Sequence, residues 1–150
     1  KIDPNHTLID DSYNANPDSV KAAIDALKQS GNKAWLVLGD MGEVGNQGPE
    51  FHREVGAYAA AQGVVRLFAL GEQCQYAIQG FDQTPKSGVP IVNAMHFSDV
   101  DSLITQLRDA LQSQSAGNSK EHLNILVKGS RFMRMERVVQ ALLEEAKTCS

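Results

Sequence analysis

Short apolar runs alternate along this chain with longer stretches whose apolar residues recur every three or four positions. Residues 7–10, 34–38, 66–70, 90–94 and 123–127 read as strands. Residues 17–29 read as a helix with Val20, Ala23, Ile24 and Leu27 on one face, ending near Gly31. Residues 49–62 follow with Phe51, Val55 and Tyr58 inward, and residues 72–79 form a shorter helix. Ser98, with Asp101 three positions on, predicts a cap for a helix bearing Val100, Leu103, Ile104, Leu107 and Leu111. The last helix is expected over residues 131–147, with Met135, Val138, Val139, Leu142 and Leu143 inward. Continuous apolar strands alternating with amphipathic helices predict an α/β fold: a mostly parallel sheet with helices on both faces. Right-handed crossovers then bring every strand-to-helix turn to one edge.

The length of 150 residues suits a single domain, 1–150, able to bury about 70% of the surface its unfolded chain exposes. The loop-like segments 80–90 and 113–122 interrupt the alternation without ending it, so they read as surface insertions. A net charge of −4 argues against a nucleic-acid partner, whose footprint would be basic. No apolar run approaches the ~20 residues of a membrane span, and no secretory signal pattern opens the chain. Cys74 and Cys149 form no Cys-x-x-Cys pair, and two lone thiols fit a reducing cytoplasm. The chain starts on Lys1 just before its first strand, which reads as an excised domain.

The polar turns carry the chemistry. Leu8-Ile9-Asp10-Asp11-Ser12-Tyr13-Asn14-Ala15-Asn16-Pro17 runs from a strand through two carboxylates, a hydroxyl, a phenol and amides into a helix start. Asn16 suits the N-cap and Pro17 the first helical position. The turn over residues 39–48 holds four glycines with Asp40 and Glu43, without the Gly-x-Gly-x-x-Gly spacing of a dinucleotide site. Its two carboxylates suit a cation such as an ammonium group, although a glycine-rich turn also serves as a plain connector. A third turn has Gly71 and Glu72. Lys128-Gly129-Ser130-Arg131 leads from a strand toward a helix, where backbone N–H groups, the helix dipole and two cationic side chains favour a carboxylate or phosphate. A solvated basic turn is the plainer alternative. His52 reads as a structural histidine, His6, His96 and His122 lack metal-ligand spacing, and Met133 and Met135 read as core.

Three strings in order, the first turn, Leu38-Gly39-Asp40-Met41-Gly42-Glu43-Val44-Gly45 with His52 and Val55-Gly56, and Val127-Lys128-Gly129-Ser130-Arg131 with Met133, Met135 and Glu136, resemble the C-terminal domain of the Mur ligases. The resemblance is greatest to the dipeptide-adding members and spans nearly the whole chain, with Val44 where the family usually has leucine. It implies a Rossmann-like domain that completes an ATP site and presents D-alanyl-D-alanine for addition to UDP-N-acetylmuramoyl-tripeptide through an acyl phosphate. It implies that Asp11, Asn14 and Tyr13 bind ATP. Lys128, Ser130 and Arg131 are expected at the dipeptide carboxylate, and Asp40 and Glu43 at its amine. No catalytic residue and no metal ligand is assigned within the domain. The chain has no Gly-x-x-x-x-Gly-Lys-[Ser/Thr] phosphate loop. ATP with Mg2+ is therefore expected to be bound mainly by a central domain, which together with the N-terminal domain would be a partner of this one. The resemblance leaves room for another Mur ligase or a folylpolyglutamate synthetase. A receiver-type signalling module shares the acidic pair and a late lysine, but needs an aspartate where this chain has Ala69-Leu70-Gly71, and a proline where it has Gly129.

Overall fold

The computed structural model describes residues 6–11, 16–31, 33–41, 45–83, 93–116, 122–130 and 133–148. The element order is β1 (His6–Asp11), α1 (Pro17–Ser30), β2 (Lys33–Gly39), α2 (Gly48–Ala61), β3 (Arg66–Leu70), α3 (Cys74–Gln83), β4 (Asn93–Phe97), α4 (Val100–Ala116), β5 (Leu123–Lys128) and α5 (Glu136–Thr148). The five strands form one parallel sheet in the order β1-β5-β2-β3-β4. The chain steps outward from β2 to β4, then α4 carries it back so that β5 slots between β1 and β2.

The period of two along each strand splits the core into two layers. Leu36, Leu38, Leu67, Ala69 and Leu126 face one side, against Val20, Ile24 and Leu27 of α1, Val55 and Ala59 of α2, and Ala77 and Phe81 of α3. Trp35, Val37, Phe68, Leu70, Ile125 and Val127 face the other, against Leu103 and Leu107 of α4 and Val138 and Leu142 of α5. Both faces are thus covered, as the apolar runs predict. On the first face α2 and α3 approach backbone to backbone. A Cβ on Gly56 would stand 1.9 Å from the Ala77 carbonyl oxygen, and one on Gly80 would stand 2.0 Å from that of Arg53.

Several local expectations are corrected. The fourth strand is described over Asn93–Phe97 and runs three residues past the expected end at Ala94, because an edge strand needs only alternate apolar positions, here Met95 and Phe97; the expected residues 90–92 lie outside the described residues. The cap of α4 is Asp99, whose carboxylate accepts from the N–H (2.8 Å) and hydroxyl (2.9 Å) of Ser102, and these bonds hold its pKa below the ordinary carboxylate value. The last helix starts at Glu136, since Met133 N–H closes a turn on the Ser130 carbonyl and Arg134 adopts a left-handed φ of 52°. Leu143, expected inward, is exposed. Residues 80–83 and 113–116, expected as loop, continue α3 and α4 as helix; the expectations on residues 84–92, 117–121 and 131–132 lie outside the described residues.

Candidate functional site

All strand ends that carry polar turns lie on one edge. There β5 sits between two strands whose following helices leave by the opposite face, since α1 and α2 pack on one side and α5 on the other. A crevice at such a reversal is where open α/β sheets take ligands. Parallel pairing sets Asp11 directly beside Lys128, and Lys128 beside Leu38. The Lys128 ammonium lies 2.6 Å from Asp11 Oδ2. Its side chain is only 1% exposed, whereas that of Asp11 is 48% exposed. The pair therefore presents a carboxylate outward and keeps its cation underneath. Helix α1 starts immediately beyond: Asn16 accepts from Ser19 N–H at 2.9 Å, and the Ser19 hydroxyl oxygen accepts from Asn16 N–H at 3.1 Å.

The second acidic turn is built differently. Asp40 is buried, and its oxygens accept from Gln73 N–H (3.2 Å) and Cys74 N–H (2.9 Å), the first backbone donors of α3. Gly71 makes room for this. Its φ of +114° suits glycine alone, and a Cβ there would come 2.5 Å from the Asp40 carboxyl carbon. The Asp40 carbonyl accepts from Ser130 N–H at 3.1 Å, so one residue joins the turns after β2, β3 and β5. Next to it, Met41 N–H donates to His52 Nε2 at 2.9 Å, and His52 Nδ1 donates to the Gly48 carbonyl at 2.6 Å. Burial pushes the His52 pKa below the ordinary 6.5, against the opposing pull of the Gly48 carbonyl and the Asp40 charge. The neutral ring with a proton on Nδ1 satisfies both bonds. Cys74 lies wholly buried beside them, its thiol on the Leu38 carbonyl at 3.5 Å. Burial, and secondarily the Asp40 charge, raises that thiol well above its ordinary pKa.

Asp40, His52 and Cys74 bring ligand-type atoms within 4.8 Å of one another. Each residue is already engaged: backbone N–H groups on the carboxylate and imidazole, a carbonyl at the thiol. These bonds make the cluster a latch between the turns after β2 and β3 and the start of α2.

Of the residues singled out in the sequence, Asp11, Lys128, Asp40 and Ser130 share this edge, while Tyr13, Asn14, Glu43 and Arg131 lie outside the described residues. Lys128 is buried and engaged by Asp11. Asp40 is engaged by the start of α3. In the turn after β5, Ser130 N–H is bonded to the Asp40 carbonyl and α5 begins at Glu136. One residue at this edge went unread. Arg134 is exposed with its backbone left-handed, and Arg137 donates to its carbonyl (3.0 Å) and to that of Met133 (2.9 Å). Nothing in the local sequence marks such a φ on an arginine.

The chain is 40% identical over 145 residues to UDP-N-acetylmuramoyl-tripeptide–D-alanyl-D-alanine ligase of Escherichia coli strain K12, covering 97% of this chain and 28% of the ligase. It is 36% identical to the ligase of the same name from Bacillus subtilis strain 168, covering 96% of this chain and 29% of that one. The crystal structure of MurF from Acinetobacter baumannii superposes with a TM-score of 0.79 at 29% identity, covering 95% of this chain and 29% of that one. The chain thus spans less than a third of the length of the relatives it matches. Residues 2–131 match the family described as Mur ligase, glutamate ligase domain, and they contain the strand-end residues Asp11, Asp40 and Lys128; the chain belongs to that family.

Proposed function

We propose that this chain is the C-terminal domain of an ATP-dependent ligase that adds D-alanyl-D-alanine to UDP-N-acetylmuramoyl-tripeptide in cytoplasmic peptidoglycan-precursor synthesis. The relatives it matches over nearly its whole length carry that name. The chemistry requires activation, because a carboxylate is a poor electrophile until one oxygen becomes a leaving group. Phosphorylation of the tripeptide carboxyl by ATP makes an acyl phosphate. Attack by the dipeptide amine and loss of phosphate then form the amide.

This domain's share is to complete the ATP site and to present the dipeptide. The half-exposed Asp11 carboxylate, held at the strand-end edge with its cation buried beneath, is the observation that carries the reading. It offers acceptors to the nucleotide, with Tyr13 and Asn14 from the same turn. Ser130 and Arg131 address the dipeptide carboxylate, and Arg131 can do so with two parallel bonds. Glu43 is left as the acid for the amine, since Asp40 is occupied. ATP and Mg2+ are bound mainly by the central domain of the full-length ligase. Among the described residues the acid-histidine-cysteine cluster at Asp40 is internally bonded and does not suit Mg2+, which prefers oxygen ligands and its own waters.

Two measurements test this. The 150-residue chain alone is expected to turn over no ATP, and dipeptide-dependent ADP release by it would refute the division of labour. In the full-length ligase, Asp11→Asn is expected to raise KM for ATP roughly ten- to a hundredfold, the worth of a hydrogen bond to a charged group. Arg131→Lys is expected to raise KM for the dipeptide and leave that for ATP in place. A reversed pattern would assign the turn after β5 to the nucleotide phosphates.

A further inference from the structure

Lys128 is hard to explain as a contributor to stability. Along β5 its neighbours Leu123, Ile125, Leu126 and Val127 are buried and apolar, and Lys128 itself lies beside Leu38 on the α1 face. An apolar side chain would fill such a place without desolvating an ammonium, and replacing buried ion pairs by well-packed apolar groups is often neutral or stabilising. What the lysine does accomplish is visible in its pairing. Asp11 ends an edge strand and is half-exposed, and the buried cation fixes one of its oxygens at 2.6 Å. The cation also offsets the Asp11 charge from behind. A bare carboxylate repels a polyphosphate, whereas a carboxylate neutralised from the protein side can accept hydrogen bonds without that penalty.

We propose that Lys128 is the positioning residue for Asp11: it holds and neutralises the carboxylate that meets the nucleotide, without touching nucleotide or dipeptide itself. The proposal rests on the reading of Asp11 as an ATP contact and extends it to a residue 117 positions away.

The test is a double-mutant cycle in the full-length ligase with Lys128→Met, Asp11→Asn and the pair together. KM for ATP, KM for D-alanyl-D-alanine and melting temperature are read for each. Both single variants are expected to raise KM for ATP roughly ten- to a hundredfold, the double variant no further than the larger single, and KM for the dipeptide is expected to stay within about twofold. If Asp11→Asn raises KM for ATP and Lys128→Met does not, Lys128 is a structural cation and the proposal fails while the reading of Asp11 stands. Effects of the two that multiply would show independent actions and also overturn it. A dipeptide KM that rises with Lys128→Met would return the lysine to the dipeptide site. If Asp11→Asn leaves KM for ATP unchanged, the reading of Asp11 itself falls and the proposal with it. Should Lys128→Met not fold, Lys128→Arg decides. With the charge retained, KM for ATP is expected to rise less than with Asp11→Asn, and an equal rise overturns the proposal.

Discussion

The turns after β1 and β2 look alike as sequence: an apolar strand, an acid, then small and polar residues before a helix. In the folded chain they do opposite things. Asp11 meets a single buried cation and turns half its surface to solvent. Asp40 is buried, binds two N–H groups of α3 through its carboxylate and receives Ser130 N–H on its carbonyl. The difference teaches how to separate a site from a scaffold. A buried carboxylate held by backbone donors is a fastener, and one that keeps an exposed face backed by charge can serve a ligand.

The largest expected effect breaks the first turn. Asp11→Ala leaves the Lys128 ammonium buried without the partner it is bonded to, and stranding one member of a buried pair costs about 3–5 kcal/mol. Urea unfolding, followed by the fluorescence of Trp35, the sole and wholly buried tryptophan, measures the loss. Adding Lys128→Met is expected to recover most of it. No recovery would mean that the pair's geometry, not the stranded charge, carries the cost.

The second turn is expected to respond in stability alone. Asp40→Asn keeps one acceptor oxygen but puts an amide donor against the N–H groups of Gln73 or Cys74. The expected loss is about 1–3 kcal/mol, with KM for ATP and for the dipeptide unchanged in the full-length ligase. A selective rise in the dipeptide KM at unchanged stability would reinstate Asp40 as the ammonium contact and erase the contrast between the turns.

That contrast sets what the sequence could disclose. The fold was legible because buried strands and amphipathic helices have different periods, and residues 66–70 fall where the pattern put them. One misplaced boundary has a local physical cause: the left-handed Arg134 interrupts an apolar pattern that otherwise continues as a helix. Asp11 and Lys128 were each visible, but their pairing depends on β5 inserting between β1 and β2, which no local signal specifies. The Asp40–Cys74 bond likewise spans 34 residues. Sequence marks residues able to do chemistry, and the sheet order decides which of them are already engaged.

A smaller effect is expected from pH, and it separates the two turns again. The folded pKa of His52 lies below the 6.5 of the unfolded chain, so below that pH the unfolded state binds more protons. The stability His52 contributes is therefore complete above about 6.5 and is lost as pH falls through its lower folded value. Protonation at Nε2 removes the acceptor for Met41 N–H and loosens the turn after β2. Melting temperature is expected to decline from pH 7 to pH 5, with a shallower decline in His52→Gln, which has no proton to gain. Parallel declines in the two proteins would show that other groups govern the acid limb.

The smallest effect concerns Cys74. Its thiol is wholly buried and its pKa is raised first by that burial and only second by the Asp40 charge. The thiolate is the reactive form, so native alkylation at pH 8 is expected to leave Cys74 unmodified by peptide mass spectrometry. Asp40→Asn removes the lesser cause and keeps the greater, so Cys74 is expected to stay unmodified there as well. Rapid alkylation of Cys74 in that variant alone would mean that the Asp40 bonds to Gln73 and Cys74 keep the start of α3 closed. The second turn would then be an opening element and not a fastener. Equal protection in both proteins places the closure in the packing of α2 on α3, where Gly56 and Gly80 let the backbones meet.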